Sequence, residues 1–397
     1  MASRSLRPHT QAMAVTAGSG GSVPETFQPP PTERLAGRRR VLVVVYGHFS
    51  DSMAATPALR SLRAALPGSR LEVLALRSAR PVLARSPHVD SVVEWEDFQH
   101  KGSSLARAEK ITVIAALGAR LRRRRYDATL VLHRSNRPMR RLARLVGSPI
   151  RAGVSDGSDG FTHPAPPPIG VESSRRENAR VLAALGVTED GGPVELWTSD
   201  EDRAGARRLL GGSRRPLVGI HAGADWSCQQ WLPERFAAVA SALQHEAGAE
   251  IVLTGSSSEV PLEEEIACRM PAPPRRAAGR TSFGELVELI RSYDLLVCVN
   301  SAAAAIADAV GTPSLVLLGP EDGGHTGTAT TPIRRVLQPG GSREPGSWCE
   351  LGRWGVLSGC ESPICRGVGG LAELDAGEVS SSALEMLGSV PTHARAS

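Results

Sequence analysis

The chain has 397 residues, a length that predicts two domains instead of a single hydrophobic core. Hydrophobic residues make up 41% and charged residues 22%, the balance of a soluble globular protein, and no apolar run is long enough to span a membrane. The net charge of +5 rests on arginine, since Lys101 and Lys110 are the only lysines; with abundant Ala, Gly and Pro this is the composition of a GC-rich genome and does not by itself point to an acidic partner.

Residues 1–37 are rich in Pro, Ser, Gly and Thr without apolar periodicity, and are expected to be a disordered tail. The first ordered stretch is Val41–Arg63. Five apolar β-formers open it, as in a strand buried on both faces of a parallel sheet. Gly47 breaks the strand, and a helix starts at Thr56-Pro57. Between them a loop is expected to carry His48, Ser50, Asp51 and Ser52, at the strand end where open α/β sheets bind ligands. Asp51 reads either as part of a reaction centre or as a plain helix cap.

Strands are then predicted at Leu71–Leu76, Ser91–Trp95 and Ala128–Leu132, with helices at Arg80–Arg85 and Ile111–Arg124. The last of these strands ends in His133, Arg134, Ser135 and Arg137. A short strand at Arg151–Val154, a Pro-rich loop at Pro164–Pro168 and helices at Ser174–Leu185 and Ser199–Leu210 complete the first half. The arginine runs Arg38–Arg40 and Arg122–Arg125 have no interleaved aromatics and read as solvated faces, so no nucleic-acid partner is expected.

From Leu217 the plan repeats: strands at Leu217–His221, Glu250–Thr254, Asp294–Val299 and Ser314–Leu318, helices at Pro233–Glu246, Phe283–Ile290 and Ala302–Val310, a loop-rich segment at Gly340–Gly370 and a closing helix at Glu378–Leu387. The fold class is therefore α/β, with two doubly wound halves facing a central cleft. The expected divisions are a tail at 1–37, a first domain at 38–210, a second at 211–375 and a closing segment at 376–397.

Four loops of the second half fall at strand ends: His221–Trp231, Gly255–Glu259, Asn300–Ala305 and Gly319–Gly327. Glycines and small hydroxyl residues ahead of helix starts suit a diphosphate, because backbone N–H groups and the helix dipole meet the anion there. No Walker lysine motif and no GxGxxG occurs. The six cysteines are dispersed. Cys349, Cys360 and Cys365 lack a second close ligand pair, so free thiols, no metal site and a reducing cytoplasmic setting are expected.

From about Arg40 to Leu387 these motifs resemble glycosyltransferase family 9, the heptosyltransferases, with a GT-B fold. Asp51 stands six residues before Pro57 as in the family's first motif, although the preceding Gly is Ser50 here. In HAGADWSCQQWLPERF the residues His221, Gly223, Ala224, Trp231, Glu234, Arg235 and Phe236 match the second motif. Thr281–Leu286 resembles the third, and Gly311, Pro313, Gly319, Pro320 and Asp322 hold places in the fourth. The departures are Gln229 for a lysine, and Asn300, Ser301 and Ala302–Ala305 where the family has Asp-Ser-Gly-Pro-Met-His. Losing that lysine and histidine weakens donor binding by a few orders of magnitude, at roughly 1.5–3 kcal/mol each, unless Arg235, His325 or Thr326 compensates.

The resemblance implies an inverting, metal-independent transfer of heptose or hexose from a nucleotide-diphosphate sugar to an acceptor hydroxyl. Asp51 would be the base. His221, Gly223, Ala224, Gln229, Thr254, Gly255, Asn300, Ser301, Gly319 and Asp322 would hold the donor. His48, Ser52, Arg134 and Arg137 would meet the acceptor. No cofactor is implied beyond an ADP- or GDP-sugar co-substrate. A monomer is expected, without a membrane span and with peripheral membrane contact left open. The acceptor implied is a secondary metabolite such as a glycopeptide antibiotic, or a cell-envelope glycan. Two rival readings stand beside this one: a non-catalytic GT-B partner or scaffold, favoured by the alanine run, and a sugar-nucleotide epimerase, for which no further catalytic carboxylates are evident.

Overall fold

Residues 35, 37–47, 49–95, 107–132, 137–155, 157, 160–168, 172–224, 229–319, 334–339 and 370–389 are described by a computed structural model. Of the expected tail only Leu35 and Gly37 are among them, and Leu35 is fully buried in the core, so the end of that stretch is packed and not a disordered tail; residues 320–333 and 340–369 lie outside them.

Each half is built on a six-stranded, wholly parallel sheet. The first comprises β1 (Arg40–Val45), β2 (Arg70–Leu76), β3 (Ser91–Trp95), β4 (Ala128–Leu132), β5 (Ile150–Val154) and β6 (His163–Ala165), in the order β3-β2-β1-β4-β5-β6. The second comprises β7 (Leu217–His221), β8 (Glu250–Thr254), β9 (Arg275–Arg276), β10 (Leu295–Val299), β11 (Ser314–Leu317) and β12 (Arg334–Leu337), in the order β12-β11-β10-β7-β8-β9. Counted from its own first strand, the second sheet repeats the order of the first. Each sheet therefore reverses direction once, between β1 and β4 and between β7 and β10. Crevices at such reversals are where open parallel sheets bind ligands.

The central strands form where the sequence runs continuously apolar. Val41–Val45, Ala128–Leu132, Leu217–His221 and Leu295–Val299 are buried at every position, as strands covered by helices on both faces must be. The edges are built differently. β6 contains Pro164, and β9 and β12 start with paired arginines. Proline and charge are how edge strands avoid further pairing. The expected loop at Pro164–Pro168 is thus replaced in part by a strand, because Pro164 lies at an edge where its missing N–H is harmless.

Twelve described α-helices flank the sheets. α1 (Phe49–Ala54) and α2 (Thr56–Ala65) follow β1; α3 (Arg80–Leu83), α4 (Arg107–Arg122), α5 (Arg137–Val146) and α6 (Ser174–Ala183) complete the first half. α7 (Asp200–Leu210) leads to α8 (Pro233–Ala247), α9 (Val260–Ala267), α10 (Phe283–Arg291), α11 (Ala302–Val310) and the closing helix α12 (Ala376–Ser389). α7 begins with a capping box, Ser199 with Asp202, and α10 with another, Ser282 with Glu285.

One buried apolar cluster crosses from half to half, holding Val43, Met53 and Ala55 of the first together with Val287, Ala303 and Ala304 of the second. Asp202 reinforces the junction: it takes an ion pair from Arg85 of the first half and a 3.3 Å hydrogen bond from the Ser282 hydroxyl of the second. Phe49 stacks on Phe283, with ring centroids 5.5 Å apart and planes 13° from parallel.

Candidate active site

Asp51 is not in a loop. It lies in the first turn of α1, a six-residue helix that begins two residues after Gly47. The stretch FSDSMA has no glycine or proline to prevent the turn, and a carboxylate there is favourably placed against the helix dipole. Gly47 supplies the space: its φ is +148°, and a Cβ on it would lie 2.1 Å from Asp51 Oδ2. Only glycine combines that backbone with so close an approach.

Helix α6 grips α1 at two points one turn apart. The Ser174 hydroxyl donates to Asp51 Oδ1 at 3.1 Å, and Asn178 Nδ2 donates to the Ala54 carbonyl at 3.2 Å. The Thr56 hydroxyl donates to the Met53 carbonyl at 2.9 Å. Two carbonyls that a short helix leaves unpaired at its end are thereby satisfied. Asp51 is held by its carboxylate while its helix is held by its backbone.

α1 also packs against α11. Ala303, Ala304 and Ala305 of α11 are buried in the same apolar cluster as Met53 and Ala55. The Ser301 hydroxyl caps neither α11 nor any other group, and its oxygen is buried without a hydrogen-bond partner. The N-terminus of α11 thus carries a buried unsatisfied hydroxyl next to the helix that bears Asp51, a position at which a polar ligand would relieve the deficit.

Around the end of β7 the residues interlock. His221 is buried, with Nδ1 3.1 Å from the Thr254 hydroxyl oxygen, and that hydroxyl donates to the Ile220 carbonyl at 3.3 Å. Nδ1 is therefore the protonated nitrogen in this network, which assigns the tautomer. Burial pushes the imidazole below its usual pKa against the opposing charge of Glu259, so the ring is neutral at pH 7. Gly223 and Gly255 flank the Glu259 carboxylate; a Cβ on Gly223 would lie 1.8 Å from Glu259 Oε1. Glu259 in turn accepts from the Ser256 N–H at 2.5 Å and the Ser256 hydroxyl at 2.9 Å. A small cavity opens here, bounded by Ala222, Gly223, Thr254, Glu259 and Glu263.

The other residues singled out in the sequence fall as follows. Asn300 follows β10 and Gly319 follows β11, where its carbonyl accepts from Gln338 Nε2 at 2.7 Å. The Ala224 carbonyl accepts from Gln230 Nε2 at 3.3 Å, and Gln229 stands beside it, half-buried. Ser52 is fully buried within α1, which leaves it no surface for an acceptor. His48, Arg134, Asp322, His325 and Thr326 lie outside the described residues. Arg137 opens α5, and its side chain is likewise not described. Arg235 is already engaged, because its Nη1 donates to the carbonyls of Ala372, at 2.8 Å, and Leu374, and so cannot replace the missing lysine. Trp231 packs on Phe236 and donates to the same Leu374 carbonyl at 3.3 Å, tying α8 to the closing segment. Among the described residues no three His, Cys, Asp or Glu side chains converge as a metal site would require.

Ser174, Asn178 and Glu259 were not singled out by sequence reasoning. Ser174 had one signal, a Ser-Ser pair opening a helix, but nothing in the sequence joins it to a carboxylate 123 positions earlier.

A model of glycosyltransferase family 9 (heptosyltransferase) matches residues 114–344. Lipopolysaccharide heptosyltransferase 3 of Escherichia coli is 30% identical over 294 residues, which cover 68% of this chain and 81% of that protein. Lipopolysaccharide heptosyltransferase 2 of Salmonella typhimurium is 26% identical over 304 residues, covering 71% and 83%. Among solved structures, the family 9 glycosyl transferase from Veillonella parvula superposes with a TM-score of 0.73 at 20% identity, covering 91% of this chain and 99% of that one. Escherichia coli ADP-heptose lps heptosyltransferase II gives 0.65 at 20% identity, covering 88% and 98%. The two repeated parallel sheets are thus those of the GT-B fold, and the chain belongs to glycosyltransferase family 9, the heptosyltransferase family.

Proposed function

We propose that this chain is an inverting glycosyltransferase that moves heptose or a hexose from a nucleotide-diphosphate sugar to an acceptor hydroxyl, with Asp51 as the base. The observation that carries the reading is the packing of α1 against α11. It brings the helix bearing Asp51 against α11, the helix preceded by Ser301, whose hydroxyl lacks a partner. In this reaction the acceptor oxygen attacks the anomeric carbon as its proton passes to the Asp51 carboxylate. The bond from that carbon to the diphosphate breaks, and its electron pair leaves with the phosphate oxygen. Ser301, the N-terminus of α11 and the amides of the Gly223 and Gly255 loops stabilise the departing charge.

The donor side belongs to the second half and the acceptor side to the first, with the division between Leu210 and Leu217. Relatives named for ADP-heptose support an ADP-sugar, with a GDP-sugar as the competing donor. The acceptor is a hydroxyl of a cell-envelope glycan or of a glycosylated secondary metabolite. A second reading, a non-catalytic GT-B protein, draws support from the engagement of Arg235 by backbone carbonyls and from the burial of Ala303, Ala304 and Ala305 in the core.

A calorimetric titration with ADP, GDP, UDP and dTDP separates the two. Saturable binding of one nucleotide is expected, and Asp51→Asn should retain it while turnover falls by about 10²–10⁴. Absence of binding to all four refutes the transferase and leaves the non-catalytic protein. Unchanged turnover in Asp51→Asn removes Asp51 from the mechanism.

A further inference from the structure

We propose that His221 takes up a proton from solvent when the donor binds and holds it, on Nε2, against the diphosphate. This rests on the transferase reading and adds a cation to the strand at the reversal of the second sheet. Residues alternate between the two faces of a strand, and paired residues of neighbouring strands share a face. His221 is paired with Thr254 of β8 and with Cys298 of β10. Cys298, and Leu217 four residues before His221, belong to the apolar cluster that also holds Ala303 of α11 and Met53 of α1. His221 therefore stands on the sheet face that this cluster joins to the first half, at the carboxyl end of β7. Gly223 follows it by two residues, and Ser301 follows Cys298 by three. His221, Gly223 and Ser301 thus lie where the crevice of a parallel sheet opens.

The two ring nitrogens are not equivalent. Nδ1 is committed to the Thr254 hydroxyl at 3.1 Å, because the proton of that hydroxyl goes to the Ile220 carbonyl. Nε2 makes no hydrogen bond to a described residue. While Nδ1 carries the only proton, Nε2 presents a lone pair, and a phosphate oxygen has nothing to donate to it. Only the doubly protonated ring donates from Nε2. The Thr254 contact therefore sets a condition on the ligand: an anion is met by His221 with a proton gained, or not at all.

The surroundings make that gain depend on the ligand. Burial keeps the ring neutral against the charge of Glu259. Glu263 of α9 lines the cavity beside it, but Arg276 and the N–H groups of Ala277 and Ala278 hold that carboxylate. From β10 the Cys298 thiol, pushed up to about 12 by burial, stays uncharged, as does the Tyr293 phenol, whose ring covers Gly219. Asp308 of α11 is paired with Arg334 at 2.7 Å. A diphosphate adds negative charge beside Glu259 and raises the pKa of the imidazole. The proton passes from solvent to Nε2, stays between Nε2 and a phosphate oxygen while the sugar leaves, and returns to solvent with release of the nucleoside diphosphate. It is separate from the acceptor proton that Asp51 takes. Because the bound form has the higher pKa, binding takes up a proton and affinity rises as the pH falls.

The test is calorimetric titration of the full chain with ADP and with GDP, in two buffers of different ionisation enthalpy, which counts the protons exchanged. His221→Asn is the comparison: its amide keeps a donor near Nδ1 for Thr254 and has no titrating nitrogen, and it cancels any proton exchanged by the nucleotide itself. At about pH 7.5 wild type should take up roughly half to one proton more than His221→Asn, and its affinity relative to that variant should grow by up to about tenfold per pH unit as the pH falls. Nucleotide binding with equal proton counts in the two proteins overturns the proposal and leaves the transferase reading standing. Absence of binding to both nucleotides overturns the two together. Uptake that is lost in Glu259→Gln but kept in His221→Asn assigns the proton to the carboxyl and also overturns the proposal. If His221→Asn does not fold, Thr254→Val decides: the freed neutral ring can carry its proton on Nε2, so uptake should fall while binding persists, and undiminished uptake overturns the proposal.

Discussion

The grip of α6 on α1 allows the positioning of Asp51 to be separated from the integrity of its helix. Ser174→Ala removes a hydroxyl donating to the carboxylate at 3.1 Å, whereas Asn178→Ala removes an amide donating to the Ala54 carbonyl at 3.2 Å. A hydrogen bond to a charged group contributes roughly 1.5–3 kcal/mol. The observed distance is long for a hydroxyl-to-carboxylate bond, so the lower end applies, and 1.4 kcal/mol corresponds to about tenfold in rate. Ser174→Ala should therefore lower kcat about tenfold with the donor KM unchanged, and Ser174→Thr should restore most of the loss. Asn178→Ala leaves a buried carbonyl unpaired, so it should lower the melting temperature with a smaller effect on kcat. The assay is steady-state release of nucleoside diphosphate from the donor, paired with thermal melting of each variant. Equal loss of kcat and of melting temperature in both variants would refute the distinction. An unaltered kcat in Ser174→Ala, alongside an inactive Asp51→Asn, would show that Ser174 does not position the base.

Two further outcomes follow from close contacts elsewhere. Gly223→Ala puts a Cβ 1.8 Å from Glu259 Oε1, so the carboxylate must leave the Ser256 amide; calorimetry should show nucleotide binding weakened at least tenfold, and unchanged affinity would exclude this loop from the donor site. In the first half, burial alone would raise the pKa of Glu72, but hydrogen bonds from Tyr126, Arg124, Arg70 and Arg40 outweigh it and hold the carboxyl at about 2. The folded-state value is depressed, so this stabilisation, about 3 kcal/mol, is fully present above pH 5 and is lost as the pH falls towards 2. Denaturant unfolding should show Glu72→Gln less stable than wild type at pH 7, with the gap closing between pH 5 and 2; a constant gap would refute the linkage.

How much of this could be read from the sequence depends on where a residue sits. Buried central strands announce themselves: Val41–Val45, Ala128–Leu132, Leu217–His221 and Glu250–Thr254 are legible because strands covered on both faces must be continuously apolar. Edges do not. β6, β9 and β12 are short and carry proline or paired arginines, the devices that stop an edge from pairing further and that remove its sequence signal. α9 was legible in principle, since Pro261 suits its first turn and Leu262 and Ile266 fall four apart on one face. α1 was missed because six residues are too few to show a helical period. The candidate site divides in the same way. Asp51 and the strand-end glycines follow from local spacing, but Ser174, which holds Asp51 from 123 positions away, depends on tertiary packing that no local pattern encodes.

The same packing gives physical meaning to the alanine run that departs from the family pattern. In sequence, Ala302–Ala305 appears only as the loss of a glycine, a proline, a methionine and a histidine. In the structure, Ala303, Ala304 and Ala305 are buried in the cluster that contains Met53 and Ala55 from α1. A bulkier side chain at Ala303 or Ala304 would have to displace its neighbours in that cluster, since close-packed interiors do not absorb added volume freely. The small side chains that depart from the family pattern thus lie in a helix that packs against α1. Under the proposed function the Ser301 hydroxyl, buried without a partner at the start of α11, is the polar group left there to meet the diphosphate.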